Sequence, residues 1–458
     1  MGSEWPTVRL GDHVDACLGK MLDKNKNQGT YHPYLGNKQV RWGSFDLDDL
    51  AEMRFEDHEH ERYGLRFGDL IVCEGGEPGR CALWKNEVPD MKIQKALHRI
   101  RPKAELDSTY LHYWFCYAGK FELLEPYFTG TTIKHLTGKA IAELPIPLPP
   151  LPEQKAIAHI LGTLDDKIEL NRRMNATLEA MAQALFKSWF VDFDPVIDNA
   201  LSAGNPIPDE LARRAEVRKK ALADGATQQG SADHPPLSSP KSLFPAAFQF
   251  TEELGWIPEG WEVSNLQKTT STIIDHRGKT PKKLASDWVD SGFPAISAKN
   301  IKDGKLVRKE TIRFTDCDLY RRWMADELEQ GDVLLTSEAP LGEKFYLAKK
   351  VQWVLSQRLF ALRANEKTSG VYLYYWLNTV IAKADIDGRA SGTTVQGIRQ
   401  SELRQVNVLV PSASCIAAFS EACDPIMTKR ASNDESVEQL TKLRDTLLPK
   451  LISGVIQI

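Results

Sequence analysis

Several short stretches carry residues typical of catalytic sites, but each lacks a necessary part of its motif. GKT at 278–280 resembles the end of a phosphate-binding loop, yet that motif needs a glycine five residues earlier, where Ile273 stands. The charged run at 56–62 places His58 and His60 beside carboxylates. Alternating polar residues in such a run are typical of a solvated loop. We therefore predict no catalytic residues in this chain.

The cysteines do not form a recognisable metal-binding motif. They are odd in number, scattered and without a Cys-x-x-Cys pair, which predicts reduced thiols and no bound metal. The seven are Cys17, Cys73, Cys81, Cys116, Cys317, Cys415 and Cys423.

Composition indicates an ordinary globular protein. Apolar residues make up 42% and charged residues 26% of the 458 positions. The net charge of -4 and the pI near 6.3 exclude a polycation that binds nucleic acid by bulk charge, so any such contact needs local basic patches. No apolar run reaches the roughly 18 residues of a membrane span, and no secretory leader opens the chain. These features predict a cytoplasmic protein without membrane contact.

The chain contains two copies of one unit. GTT at 130–132 recurs at 392–394, and YLHYW at 110–114 recurs as YLYYW at 372–376, both at an offset of 262 residues. A period of this length is far too long for a solenoid. It predicts two homologous globular domains, each followed by one helical segment.

Each copy mixes strands and helices, so the predicted fold class is α+β. The apolar runs in GDLIV at 68–72 and GDVLL at 331–335 predict strands, whereas 110–128 and 371–386 predict short helices. Residues 195–256 differ in character, with proline turns, a basic helix-like run and a Gly/Ser/Pro-rich stretch. That composition predicts a linker or insertion on the surface.

A long helix follows the first copy. Pro152 precedes Glu153 and Gln154, and proline followed by an acidic residue is typical of a helix start. Heptad spacing continues to about Phe190, and a helix of about 40 residues is about 60 Å long, too long for one small domain to cover. Adding 262 to each position gives its predicted partner helix. The predicted seam contains Ile157, Leu161, Leu164, Ile168, Asn171, Leu178, Leu185, Asn433, Leu440 and Leu447.

Two features of these helices bear on their pairing. Asn171 and Asn433 fall at equivalent seam positions, where a buried amide fixes register, unless local helix rotation exposes both. Pro425 should kink or interrupt the second helix near its start.

Several motifs together resemble the specificity subunit of Type I restriction-modification systems. They are the proline run with EQK at 153–155, SWFVDFDPV at 188–196, ELGWIPEGWEV at 253–263 and LRDTLLPKLISG at 443–454. The resemblance implies two target-recognition domains, each reading one part of a bipartite double-stranded DNA sequence. It also implies that the two long helices pair as an antiparallel coiled coil and hold the domains apart.

The same resemblance implies partner subunits. Modification subunits, two of them in our expectation, would dock on the helices and use S-adenosylmethionine, and restriction/translocase subunits would bring ATP and Mg²⁺ chemistry. No cofactor is expected on this chain, since it has no Asn-Pro-Pro-Tyr or Asp-Pro-Pro-Tyr tetrapeptide for adenine methylation. The expected organisation is a first domain at 1–151, a spacer helix at 152–194, a linker at 195–256, a second domain at 257–411 and a second spacer helix at 412–458.

Basic clusters in matching early segments of the two copies are the predicted DNA contacts. Phosphate contacts require Lys and Arg, and clusters in matching places favour DNA over solvated surface charge, although each lysine alone fits both. The first copy offers Lys20, Lys24, Lys26, Lys38 and Arg41, and the second offers Arg277, Lys279, Lys282, Lys283, Lys299 and Lys302.

The repeated GTT segments are a second candidate contact. Thr131 and Thr132, with Thr393 and Thr394, follow a glycine and precede an apolar run, a pattern that predicts a helix N-terminus. Such a terminus either holds a phosphate or is simply capped by threonine. A general helical scaffold joining two protein-binding domains remains the alternative function.

Overall fold

The computed structural model describes residues 5–23, 27–227, 241–456 and 458. The chain divides into two compact units. The first unit comprises Met1–Arg172 and Asp434–Ile458, and the second comprises Arg173–Asn433. Two 40-residue helices, Leu151–Phe190 and Ala413–Ile452, each contribute one part to each unit.

The first unit contains eleven described strands and three short helices before the first long helix. In chain order they are β1 (Thr7–Arg9), β2 (Val14–Leu18), β3 (Thr30–Leu35), β4 (Val40–Arg41), β5 (Ser44–Phe45), β6 (Glu52–Phe55), α1 (His60–Tyr63), β7 (Leu70–Cys73), β8 (Cys81–Leu83), β9 (Lys92–Ile93), β10 (Leu97–Pro102), α2 (Ser108–Lys120), α3 (Gly138–Glu143), β11 (Pro145–Pro147) and α4 (Leu151–Phe190).

The second unit repeats this order after two additional helices and a hairpin. Its elements are α5 (Asp194–Ala203), α6 (Asp209–Thr227), β12 (Phe248–Thr251), β13 (Gly255–Pro258), β14 (Glu262–Asn265), α7 (Leu266–Thr269), β15 (Thr270–Asp275), β16 (Phe293–Ile296), β17 (Ile301–Lys302), β18 (Lys305–Leu306), β19 (Arg313–Thr315), α8 (Cys317–Trp323), β20 (Val333–Ser337), β21 (Leu341–Tyr346), β22 (Val354–Leu355), β23 (Leu359–Ala364), α9 (Gly370–Leu377), α10 (Val380–Gly388), α11 (Gln400–Leu403), β24 (Asn407–Val410) and α12 (Ala413–Ile452).

The central sheets of the two units have the same topology, as expected for homologous domains. Strand order is β2-β10-β7-β8 in the first unit and β15-β23-β20-β21 in the second, with antiparallel neighbours throughout. The α+β prediction is therefore confirmed. Because alternate faces of these strands are covered by helices and by the smaller sheet, the central strands β7 and β20 are wholly buried.

The repeated GD dipeptide has the same structural role in both units. Asp69 accepts two hydrogen bonds from Arg101, at 2.7 and 2.8 Å, and Asp332 accepts two from Arg363, both at 2.9 Å. Each aspartate is almost inaccessible, so the bidentate arginine compensates the burial of its charge. Both pairs link the central strand to its neighbour.

Gln154 explains why α4 starts where it does. The helix begins at Leu151, with Pro152 in its first turn. The fully buried side chain of Gln154 accepts a hydrogen bond from the Asp107 backbone N–H and donates to the Glu105 and Pro149 carbonyls. These bonds join the helix start to the domain that precedes it.

The two long helices contact each other within both units. In the first unit Arg444 donates to Asp165 at 2.7 Å. In the second unit Asn433 bonds to Asn175, and Arg430 forms an ion pair with Glu179. Partner numbers on α12 fall as those on α4 rise, which is the signature of an antiparallel pair.

All predicted seam residues are at least partly removed from solvent. Ile157, Leu161, Ile168, Asn171 and Asn433 are buried, and Leu164, Leu178, Leu185, Leu440 and Leu447 are half-buried. Exposure of Asn171 is 4% and of Asn433 2%, which rules out the alternative that both amides face solvent.

Of the two effects predicted for Pro425, a kink or an interruption, the interruption is wrong. α12 is one continuous helix from Ala413 to Ile452. Proline removes one backbone hydrogen bond, but Cys423 and Met427, on either side of it, are buried in the core of the second unit. Tertiary packing therefore maintains the helix across the local defect.

Part of the segment predicted as a surface linker belongs to a core. In α5, Val196 and Ile197 are fully buried. Asp194 and Asp198 receive bidentate hydrogen bonds from Arg214 and Arg218 of α6, so the basic run there serves as an internal ion-pair partner. Within the described residues, the remainder of that predicted linker includes the β12–β13 hairpin. None of the helices described is both long and apolar enough to cross a bilayer.

Candidate nucleic-acid interface

An equivalent basic turn projects from each unit. Residues 37–39 and 298–300 form single 3₁₀ turns, each followed by a two-residue strand. The buried amides of Gln39 and Asn300 fix these turns by accepting the backbone N–H groups of residues 36 and 297, at 3.0 and 3.1 Å. The basic residues on the turns are exposed: Lys38 and Arg41 in the first unit, Lys299 and Lys302 in the second.

The GTT segments form tight exposed loops, and the prediction of a helix N-terminus there is wrong. Backbone hydrogen bonds of 2.8 to 3.0 Å close the loops at 129–135 and 391–397. Gly130 and Gly392 have left-handed φ angles of +93° and +121°, and a Cβ on either would lie 2.2 Å from a loop carbonyl oxygen. Short helices begin three residues after the loops close, at Gly138 and Gln400, so the threonines of the GTT segments do not stand at a helix N-terminus. All four threonines, Thr131, Thr132, Thr393 and Thr394, are exposed.

Each loop also presents an apolar side chain to solvent. Ile133 is 64% exposed and Val395 is 48% exposed, and the two occupy the same place in the repeat. Exposed aliphatic groups beside basic and hydroxyl groups suit contact with thymine methyl groups or sugar faces.

In the second unit, four of the six predicted basic residues line two adjoining depressions, which together are called the groove. Two depressions, of about 480 and 510 Å³, share the exposed Gln357. Asp287 and Glu338 are their acidic lining residues, so positive charge predominates. The basic lining residues are Arg277, Lys279, Lys282, Lys299, Arg313, Arg358 and Arg399.

Two of the predicted groove residues are anchored to protein. Arg277 donates twice to Asp275 and once to the Ile398 carbonyl, and its guanidinium lies 4.2 Å from the centroid of the Phe360 ring. Lys279 donates to the Trp323 carbonyl at 2.7 Å. The Arg277 bond to Ile398 attaches this side chain to the base of the 391–397 loop, and the Lys279 bond attaches that side chain to the end of α8.

The remaining predicted lysines of the second unit differ in their position and in their hydrogen bonds. Lys282 is exposed within the groove, whereas the exposed Lys283 donates to the Gly278 carbonyl at 2.8 Å and is not among the lining residues. Lys302 is exposed on the neighbouring β17–β18 hairpin.

Lys20 does not fit its predicted role. It is only 3% exposed, and its ammonium forms an ion pair with Glu59 and donates to the Arg54 carbonyl. Strand register places it where Arg277 stands in the second unit, so a buried lysine and a half-buried arginine follow equivalent strands. Lys24 and Lys26 lie outside the described residues.

His276 lies beneath the groove beside Arg277. It is 7% exposed, and burial, with Lys279 nearby, lowers its pKa to about 4. The imidazole is therefore neutral at physiological pH and adds no charge to the groove.

Comparison with known proteins identifies the family to which this architecture belongs. The family model for the Type I restriction modification DNA specificity domain matches residues 2–180 and 258–415, one match for each copy of the repeat. The chain belongs to this family. It is a DNA-recognition subunit with two specificity domains.

Individual relatives are similar to this chain along nearly its full length. The specificity subunit of the Type I restriction enzyme HindI from Haemophilus influenzae is 28% identical, with 99% of this chain and 100% of the relative covered. The MjaVIII specificity subunit from Methanocaldococcus jannaschii is 24% identical, with 99% and 93% covered. The crystal structure of an S subunit from M. genitalium matches the fold with a TM-score of 0.59 at 16% identity, covering 98% of this chain and 96% of that one.

Sequence reasoning missed part of the specificity-domain groove. Arg313, Arg358 and Arg399 come from three separate segments far from the lysine-rich stretch. The one local signal was the position of Arg399, five residues after Thr394 of the repeated GTT motif.

Three aromatic side chains, those of Tyr31, Trp42 and Tyr320, differ in their exposure. Tyr320 is core, stacked on Phe293 at 4.3 Å between ring centroids. Tyr31 and Trp42 are 58% and 39% exposed and remain available for contact with DNA.

Proposed function

We propose that each specificity domain contacts one part of a bipartite DNA target through its basic turn and its GTT loop. The observation that carries this proposal is the recurrence of the same two exposed features in both units, while the cores beneath them use different side chains. Basic residues on the turns would hold phosphates, and Gln357 with the loop residues would contact base edges. The divergence of the groove residues between copies supports two different half-sites.

The helix pair is proposed to set the distance between the half-sites. α4 and α12 are uninterrupted over 40 residues each, and they are joined by polar contacts in both units. Polar seam contacts specify register, because a slipped pairing leaves them unsatisfied. A fixed register would translate into a gap of constant length.

The proposal includes partners and compartment. The chain itself would be non-catalytic and would act in the cytoplasm. Modification subunits, two in our proposal because the chain contains two copies of the repeat, would supply S-adenosylmethionine chemistry. Restriction/translocase subunits of the full complex would supply ATP and Mg²⁺ chemistry.

Footprinting of the assembled complex on randomised duplex DNA tests this function. We expect two protected patches separated by a gap whose sequence is indifferent, and strong competition by specific over random DNA at moderate salt. Absence of any sequence preference would contradict the proposal and would support a protein-binding scaffold instead.

A further inference from the structure

Three potential metal ligands converge in the first unit. Cys81 lies on β8, and His112 and Cys116 lie one helical turn apart on α2. Their ligand atoms all fall within 4.8 Å of one another. Cys81 and Cys116 are free thiols, so no disulfide competes for them.

The distances suit a tetrahedral ion. Measured to one ring nitrogen, His112 Nδ1, the Cys81 sulfur lies at 3.8 Å and the Cys116 sulfur at 4.0 Å, so a movement of a few tenths of an ångström by Cys116 would complete the set. With bonds of about 2.3 Å to sulfur and about 2.0 Å to nitrogen, Zn²⁺ holds tetrahedral ligands about 3.5–3.8 Å apart. Thiolate with imidazole is also the donor set that favours zinc over magnesium or calcium.

The second unit places a lysine at the position equivalent to Cys81. Strand pairing of Cys81 with Val72 and of Lys344 with Leu335 makes Cys81 and Lys344 structural counterparts. The ammonium of Lys344 is 7% exposed and donates to the Leu377 carbonyl at 2.8 Å. Burial lowers the pKa of Lys344 to about 8, so most of it remains charged at neutral pH.

The other two ligands are also replaced together. The repeated YLxYW motif aligns His112 with Tyr374, and the same offset aligns Cys116 with Asn378. Thus the first repeat has three soft ligands where the second has an ammonium, a phenol and an amide. All three positions therefore change together between the repeats, and a bound ion in the first repeat accounts for this joint change, because a metal site needs all of its ligands at once.

We propose that Cys81, His112 and Cys116 bind one Zn²⁺ ion in the first specificity domain. The ion would tie β8 to α2, and the fourth coordination position would be exchangeable, because His112 and Cys116 form part of the wall of an open cavity of about 970 Å³. This site reverses the sequence-based prediction that the chain binds no metal.

The site would also support the basic turn of the first domain. The Cys81 carbonyl accepts the Gly43 N–H at 2.9 Å, next to Arg41 and Trp42. The Trp42 ring packs against Gly119 of α2, where an added Cβ would lie 2.4 Å from it. Loss of the ion would therefore loosen the segment that presents Arg41.

Metal analysis of the full chain, prepared without a polyhistidine tag, tests the proposal. We expect about one Zn²⁺ per chain, and visible d–d and thiolate charge-transfer bands when Co²⁺ replaces it. Cys317→Ser removes an exposed thiol and should leave both readouts unchanged.

The decisive variant carries Cys81→Lys, His112→Tyr and Cys116→Asn, which copies the second unit and so offers a metal-free way to fold. It should contain almost no zinc and should melt at the same temperature with or without a strong chelator, whereas the chelator should lower the melting temperature of the unmodified chain. Substoichiometric zinc in the unmodified chain, or equal zinc in the triple variant and the unmodified chain, would overturn the proposal. The zinc content of the triple variant still tests the proposal if that variant is less stable than the unmodified chain.

Discussion

Asn433 donates its side-chain amide to the Asn175 side-chain oxygen at 2.8 Å, and Asn175 in turn donates to the Arg430 carbonyl at 3.1 Å. This chain of bonds links α12 to α4 inside the second unit. The repeat does not reproduce it, because the counterpart of Asn175 in α12 is Val437. The polar seam contact is therefore specific to one part of the helix pair.

Removing one member of this pair should cost stability. Asn433→Ala leaves the Asn175 oxygen without that donor, and we expect a loss of about 1–3 kcal/mol in the free energy of unfolding. Replacing both asparagines with Leu should recover most of the loss, since neither polar group then remains in the seam. Urea unfolding measures the free energy of unfolding of the single and the double variant. Ser432→Ala, at an exposed neighbouring position, is the matched control; equal effects of Ser432→Ala and Asn433→Ala would show that the bond contributes nothing.

In the first unit, Asp165 should matter more than the aspartate beside it. Asp165 accepts hydrogen bonds from Arg444 and from the Tyr113 hydroxyl, both at 2.7 Å. Because the pair is about one-third exposed, we expect Asp165→Asn to cost about 1–2 kcal/mol. Asp166→Asn disrupts only an exposed 3.9 Å pair with Lys85 and should cost less than about 0.5 kcal/mol. Chemical denaturation of the two variants provides the comparison, and reversal of their order would contradict this role for Asp165.

Groove lysines should control the salt dependence of DNA binding. If Lys282 and Lys299 each neutralise one phosphate, replacing both with Ala should reduce the slope of log affinity against log salt by about 2. Titrations of the assembled complex at several salt concentrations give this slope. Lys219→Ala with Lys220→Ala, on the exposed face of α6, removes the same charge and should leave the slope unchanged. An unaltered slope in the groove variant would place these lysines away from DNA.

His276 should make the second unit sensitive to mild acid. Its pKa is about 4 in the folded chain, against about 6.5 when unfolded, so between these values the unfolded chain binds more protons. Stability should therefore fall as pH drops from about 6.5 towards 4, by at most about 3 kcal/mol from this residue. His276→Gln should flatten that part of the profile of urea midpoint against pH. His58→Gln, at an exposed position, is the control and should leave the profile unchanged. If the profile of His276→Gln ran parallel to that of the unmodified chain, His276 would not be the source of the acid sensitivity.

Lengthening both long helices should lengthen the recognised gap. One heptad inserted into each of α4 and α12, near residues 173 and 434, adds about 10 Å, or about 3 base pairs, while keeping the seam in register. Methylation mapping or footprinting should show unchanged half-sites and a longer gap. The same seven residues inserted between α5 and α6 should leave the gap unaltered. An unchanged gap after the double insertion would exclude the helices as the spacer.

The sequence alone determined the features that depend on local pattern or on duplication. The repeat followed from YLHYW and YLYYW, and the helix start followed from Pro152, because proline and heptad spacing act over a few residues. The same spacing predicted burial of Asn171 and Asn433 but left open that helix rotation exposes both, which the structure ruled out. The repeated GD dipeptide marked a strand start, although its partners, Arg101 and Arg363, were visible only in the folded sheets.

Tertiary structure decided the features that depend on residues remote in sequence. Lys20 became an internal cation because Glu59 and the Arg54 carbonyl meet it. Pro425 remained helical because buried side chains on both sides of it outweigh one lost hydrogen bond. Cys81 came within reach of His112 and Cys116 only when β8 packed on α2. Residue spacing reveals the periodicity of a single helix or strand. Charge compensation and ligand geometry arise between elements, and the sequence does not show which remote residues meet there.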